Sequence, residues 1–272
     1  MKSYSIHKTL LFNILSVILI TLSVQNKALA QKFQKIEKEI QKGDDMPNAY
    51  QKTDKSTSTS SAIAEIVGTI LFSFPKESDL AQLYGHPIKL SKYTYSGQSD
   101  GRYTRVPEQQ KMLNWDLQAN YIIESQSIQG IQAFTRFQFM PKLSIDVEYS
   151  GLREKTDNEQ AMYLDFLHID LAYHRLALTR FDFWVGTGFT SLWIGENYTG
   201  WNFNLGVEIY IAKPVSIFSN WYFGGIEEVN FTEGSTDLKV YLNRLQLFAG
   251  YQFYELGSVR INGFRSGIGF SL

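Results

Sequence analysis

Residues 201–213 read WNFNLGVEIYIAK, with a large apolar residue at every second position. Trp201, Phe203, Leu205, Val207, Ile209 and Ile211 share one parity, and Asn202, Asn204, Gly206, Glu208, Tyr210 and Ala212 share the other. Successive side chains of a strand point to opposite faces. A chain built from such units therefore needs an apolar environment on one side of its sheet and a polar or small one on the other.

The same alternation recurs from Met112 to the end of the chain. Leu113, Trp115, Leu117, Ala119 and Tyr121 oppose Asn114, Asp116, Gln118 and Asn120, while Leu143, Ile145, Val147 and Tyr149 oppose Ser144, Asp146, Glu148 and Ser150. Later, Leu167, Ile169, Leu171 and Tyr173 oppose His168, Asp170 and His174, and Leu238, Val240 and Leu242 oppose Asp237, Lys239 and Tyr241. Breaks at Pro141 and Lys142, at Pro214, and at Asn243 and Arg244 read as tight turns, and residues 152–160 and 194–200 read as loops. About ten strands result. In the last, Val259 and Ile261 are on odd numbers while Phe264, Ile268 and Phe270 are on even ones, so a bulge near Gly263 is expected.

A soluble sandwich also alternates, but three features point to a membrane. The strands run about 9 to 13 residues, the length a tilted strand needs to cross hydrocarbon. Trp115, Tyr121, Tyr149, Tyr163, Tyr173, Trp193, Trp201, Trp221 and Tyr251 recur near the ends of apolar faces, as interfacial girdles do. Short connections alternate with longer ones. Lipid offers no hydrogen bonds to an open edge, so the sheet must close. The expectation is an all-β, antiparallel up-and-down transmembrane β-barrel. An even strand count puts both of its ends on one side, taken as the periplasm.

The start of the chain reads differently. Lys2 and Lys8 precede the apolar run TLLFNILSVILITLSV, and Ala28 and Ala30 supply small residues before Gln31, which reads as a secretory signal over residues 1–30. Residues 31–111 are expected to form a periplasmic tail, linker and lead-in, and residues 112–272 the barrel. Phe33, Ile36 and Ile40 have helical spacing with Gly43 as a stop, so the N-terminal extension is expected to carry a short helix within a solvated tail. Residues 62–74, AIAEIVGTILFSF, fit either a short helix or a strand. The absence of cysteine removes disulfides, thiolate metal sites and cysteine nucleophiles, and a formal charge of -1 gives no electrostatic reason to expect nucleic acid.

Residues 112–272, ending Gly269-Phe270-Ser271-Leu272, resemble the small outer-membrane β-barrel proteins of Gram-negative bacteria, the porin-like and OmpA-like group. The final residue in that group is often aromatic. Here it is Leu272, with Phe270 two places earlier on the same face. The resemblance implies residence in the cell outer membrane, contact with its lipid and lipopolysaccharide, and a monomer. It carries no activity.

The parity assigns Asp116, Arg136, Asp146, Glu148, His168, Asp170, Glu208, Lys239 and Arg244 to the lumen. A barrel of about eight strands is filled by its own side chains, and water-filled channels need about 16. With ten, either a plugged lumen or a narrow path for small polar solutes fits. His168, Asp170 and His174 share a face and suit acid–base or metal chemistry, but no spacing reproduces a catalytic or metal signature, so no enzyme, cofactor or metal is expected. Passive small-solute passage or a structural envelope role stands first. A non-conducting loop-display or adhesion barrel is the alternative, and an outer-membrane hydrolase the third.

Overall fold

The computed structural model describes residues 32–44, 89–104, 110–124, 127–155, 161–227 and 229–272. The proposed signal segment, the linker and residues 62–74 lie outside them. The elements are α1 (Lys32–Asp44), three short strands β1 (Lys89–Ser91), β2 (Tyr103–Thr104) and β3 (Gln110–Lys111), and ten long ones. The long strands are β4 (Asn114–Ile123), β5 (Ile128–Met140), β6 (Leu143–Lys155), β7 (Ala161–Ala177), β8 (Phe181–Ile194), β9 (Glu196–Ala212), β10 (Val215–Ile226), β11 (Val229–Leu242), β12 (Leu245–Leu256) and β13 (Val259–Ser271).

The ten long strands form the expected closed barrel, each paired antiparallel with its neighbour in sequence. β13 closes on β4 through pairs running from Phe264↔Ile123 to Ser271↔Asp116. Every backbone ladder is therefore satisfied within the wall, with no edge left over. Parity decides what faces where. Ile169, Leu171, Phe189, Trp201, Ile209, Leu238, Leu247 and Ile268 are exposed on the outside, while Asp116, Arg136, Asp146, Asp237 and Arg265 are buried inside. This reverses the arrangement of a water-soluble domain, in which charge is rarely buried and large apolar patches are rarely exposed.

One expectation about a connection and one about register do not hold. Residues 194–200 are not a loop: β8 and β9 meet at Gly195, whose φ of 70° makes a tight hairpin. No bulge occurs near Gly263, because β12 and β13 pair without a register shift from Leu245↔Phe270 to Leu256↔Val259. Val259 and Ile261 instead face inward and belong to an apolar cluster that fills one end of the barrel.

That end is closed by α1. The helix was expected within a solvated tail, but its Phe33, Ile36 and Ile40 are fully buried against Ile122, Ile128, Leu164, Leu192, Ile226, Leu256 and Ile261. Burying such side chains stabilises by roughly 1.5–3 kcal/mol each, whereas a helix of 13 residues is marginal alone. The first turn of α1 carries no acidic residue. The wall supplies one: Glu154, at the end of β6, accepts the backbone N–H of Lys32 and of Phe33, each at 2.9 Å. A carboxylate there satisfies two orphan donors and complements the helix dipole. Lys32 Nζ reaches the Arg260 carbonyl at 2.7 Å, and Glu39 accepts the Ser258 N–H at 2.9 Å, so the first turn and the middle of the helix are tied to the rim.

The opposite end, where β4 begins and β13 finishes, is occupied by the β2-β1-β3 sheet. Tyr95 packs edge-on against Tyr210 and Tyr241, and its hydroxyl donates to the Val215 carbonyl at 2.6 Å. Arg102 pairs with Asp116, and its Nε donates to Gln138 at 2.8 Å. Burial raises the Tyr95 and Tyr103 phenols above their usual value, with nearby carboxylates adding to it. Burial opposes the charge of Arg102, but Asp116, Tyr210, Tyr103 and Asp182 together outweigh it and hold the guanidinium firmly cationic.

Candidate functional site in the barrel lumen

The inward positions of the ten strands build three successive layers. In the layer next to α1, His168 stacks on Tyr222 with ring centroids 4.3 Å apart. Its Nε2 meets Glu233 at 2.8 Å and its Nδ1 meets Thr190 at 2.7 Å. Gln252 donates to the other oxygen of Glu233 at 2.8 Å, and Gln132 donates to Glu148 at 2.5 Å. Arg265 pairs with Asp237 and bridges both glutamines at 2.7 and 2.6 Å, which ties the cluster together.

The middle layer is cationic and aromatic. Arg136 grips Asp146 through Nε at 3.0 Å and Nη2 at 2.6 Å, with its guanidinium 4.0 Å from the Trp184 ring centroid. Trp184 lies over Gly206, where a Cβ would stand 2.1 Å from the ring, so only glycine admits the indole. The Lys239 ammonium sits 3.5 Å from the Phe218 ring centroid. Asp170, opposite Asp146 across the β6–β7 ladder, leaves both carboxylate oxygens without a partner at hydrogen-bonding distance.

In the layer nearest the β1–β3 sheet, Glu208 accepts from Ser216 at 2.6 Å, Tyr210 at 3.1 Å and Tyr241. Beside it, His174 Nδ1 faces Asp182 Oδ1 at 2.7 Å, and His174 Nε2 faces Ser144 Oγ at 3.1 Å. Ser144 Oγ also lies 2.9 Å from Asp146 Oδ1. The Tyr103 hydroxyl, brought in by β2, stands 3.1 Å from His174 Nδ1 and accepts from Gln138 Nε2 at 3.1 Å.

Asp116, Arg136, Asp146, Glu148, His168, Asp170, Glu208 and Lys239 are thus all buried within the wall. Arg244 is not: it occupies the exposed two-residue turn between β11 and β12, outside the ladder that orients inward side chains. His168, Asp170 and His174 share a face but form no joint site, because each has different surroundings. Among the described residues no group of three or more His, Asp or Glu is placed to hold a metal ion. Sequence reading missed Ser144 and Asp182 as partners of His174. It also passed over Arg265, although the even apolar register of Phe264, Ile268 and Phe270 already turns it inward, and it missed Glu154, Arg102 and Tyr103, whose roles depend on the two plugs.

No protein-family model matches this sequence, and no curated protein matches it. Among solved structures, the chain is similar to a loop-L8 deletion mutant of OmpT, an outer membrane protein of Vibrio cholerae, with a TM-score of 0.33 and 10% identity. That match covers 57% of this chain and 62% of the OmpT chain, less than two-thirds of it. The outer membrane protein OprG from Pseudomonas aeruginosa matches with a TM-score of 0.31 and 11% identity, over 59% of this chain and 94% of OprG. At such scores the likeness carries no argument about activity. The barrel stands on its own strand pairing.

Proposed function

We propose that the chain is an outer-membrane barrel held closed by its own N-terminal segments, with a structural role in the envelope as its resting state. The observation that carries this reading is the inverted distribution of polarity: ion pairs inside a sealed wall, apolar side chains outside it, and a segment of the chain lodged in each mouth. Outer-membrane lipid and lipopolysaccharide are the surroundings such an exterior fits. With the ends of β4 and β13 toward the periplasm, α1 lies at the outward mouth.

Passage of small polar solutes then requires both plugs to leave, because a layer of packed side chains lies beneath each. Planar-bilayer recording of purified, folded protein tests this. The expected result is no steady current from the intact chain. A stable open-channel current without any mutation or displacement of the plugs overturns the closed-barrel reading.

A further inference from the structure

Ser144, His174 and Asp182 come from three different strands and meet in the order that acyl transfer requires. Asp182 only accepts hydrogen bonds, so the proton of the imidazole sits on Nδ1, which faces it at 2.7 Å. The lone pair of Nε2 then points at Ser144 Oγ, 3.1 Å away. This is the nucleophile–base–orienter relation that defines a serine hydrolase by geometry rather than by sequence position. Gln138 stands directly opposite Ser144 in the β5–β6 ladder, and its Nε2 is a donor beside the nucleophile.

We propose that Ser144–His174–Asp182 is a latent hydrolase centre for small carboxylic esters, occluded by Tyr103. The Tyr103 side chain is fully buried, with its hydroxyl between Gln138 and His174, so the space it fills sets the size of what replaces it: an ester no larger than a phenol ring. Withdrawal of Tyr103 frees Gln138 Nε2 to donate to a substrate oxygen. Ser144 Oγ then bonds to the ester carbon as its proton passes to His174 Nε2. The carbonyl oxygen takes the negative charge facing Gln138. Collapse breaks the bond to the alcohol, which leaves with the proton from Nε2. Water then attacks the acyl-serine, gives its proton to Nε2, and releases the acid as Ser144 recovers a proton. At rest, the hydrogen bond between Ser144 and Asp146 competes with activation. The centre depends on the closed-barrel reading only for its latency, and conductance and labelling fail independently.

The test uses full-length folded protein with methanesulfonyl fluoride, a serine-directed reagent smaller than a phenol ring, followed by peptide mass spectrometry. The expected result is slow modification of the wild type at Ser144, at least tenfold faster modification in Tyr103→Gly, and none in Ser144→Ala. Asp182→Asn should slow turnover of methyl acetate in the Tyr103→Gly background by on the order of 10⁴-fold, because the imidazole proton is then misplaced. If Tyr103→Gly does not fold, judged by heat-dependent gel mobility, Tyr103→Val replaces it, since it removes both the ring and the hydroxyl from beside Gln138 and His174 while keeping a β-branched residue in the strand. No adduct at Ser144 in the wild type or the folded Tyr103 variant, or an adduct formed equally fast with Asp182→Asn, overturns the assignment.

Discussion

Ile169 lies at the centre of β7, paired with Val147 and Phe189, and faces outward with 46% of its surface exposed. Replacing it with Arg separates the two environments the exterior can have. Facing water, such a change alters stability by no more than about 0.5 kcal/mol. Facing the middle of a bilayer, it costs roughly 2–4 kcal/mol, falling to about 0–1 near the interface. Tyr163 is the matched control, exposed on the same face of β7 and 58% accessible. A tilted strand climbs about 2.5 Å per residue along the membrane normal. Tyr163 therefore sits about 15 Å from Ile169, beyond the edge of an apolar band about 25 Å tall. Ile169→Arg should lower the folding constant in lipid vesicles by roughly thirty-fold to nearly a thousandfold, and Tyr163→Arg by less than about sixfold. Reversible urea unfolding followed by tryptophan fluorescence reads both. Equal, small losses at the two sites refute a lipid-facing exterior.

Arg136→Ala leaves Asp146 buried without its guanidinium and should cost about 3–5 kcal/mol, most of it recovered in Arg136→Met/Asp146→Leu; urea midpoints of the single and double variants check this. Phe33→Ala should cost roughly 3–5 kcal/mol of docking free energy and expose α1 to protease, seen as early cleavage in limited proteolysis with the barrel left intact. Gly206→Ala drives a methyl into the Trp184 ring and should cost about 1–3 kcal/mol by overpacking, with altered near-ultraviolet circular dichroism. The raised phenols of Tyr95 and Tyr103 stabilise the docked β1–β3 sheet fully below pH about 10, and that contribution declines as pH rises through and above the ordinary tyrosine value. Proteolysis of the sheet should accelerate on that alkaline side; a rate independent of pH contradicts it.

The barrel was legible because parity is a local property. Ile145, Val147 and Tyr149 against Ser144, Asp146 and Glu148 needs no tertiary knowledge to assign two faces. What parity cannot supply is the meaning of an apolar residue on the polar face. Val259 and Ile261 look like a register error until α1 is known to lie over them, and Phe33, Ile36 and Ile40 look like a tail helix until the mouth is known to receive them. Trp184 and Phe218 are inward aromatics because cations need a ring to rest on once they are buried. The meeting of Ser144, His174 and Asp182 rests on the registers of β6, β7 and β8 and on a register shift between His174 and Leu176, none of which periodicity encodes.

The inverted wall is tested most directly by site-directed spin labelling. The chain contains no cysteine, so one nitroxide can be placed at each residue from Tyr163 to Tyr173 in turn, in protein reconstituted into vesicles. The account predicts a period of two, with high oxygen accessibility and low accessibility to a water-soluble nickel complex at odd positions, and low accessibility to both at even ones. Odd positions open to the nickel complex across the middle of β7 contradict it.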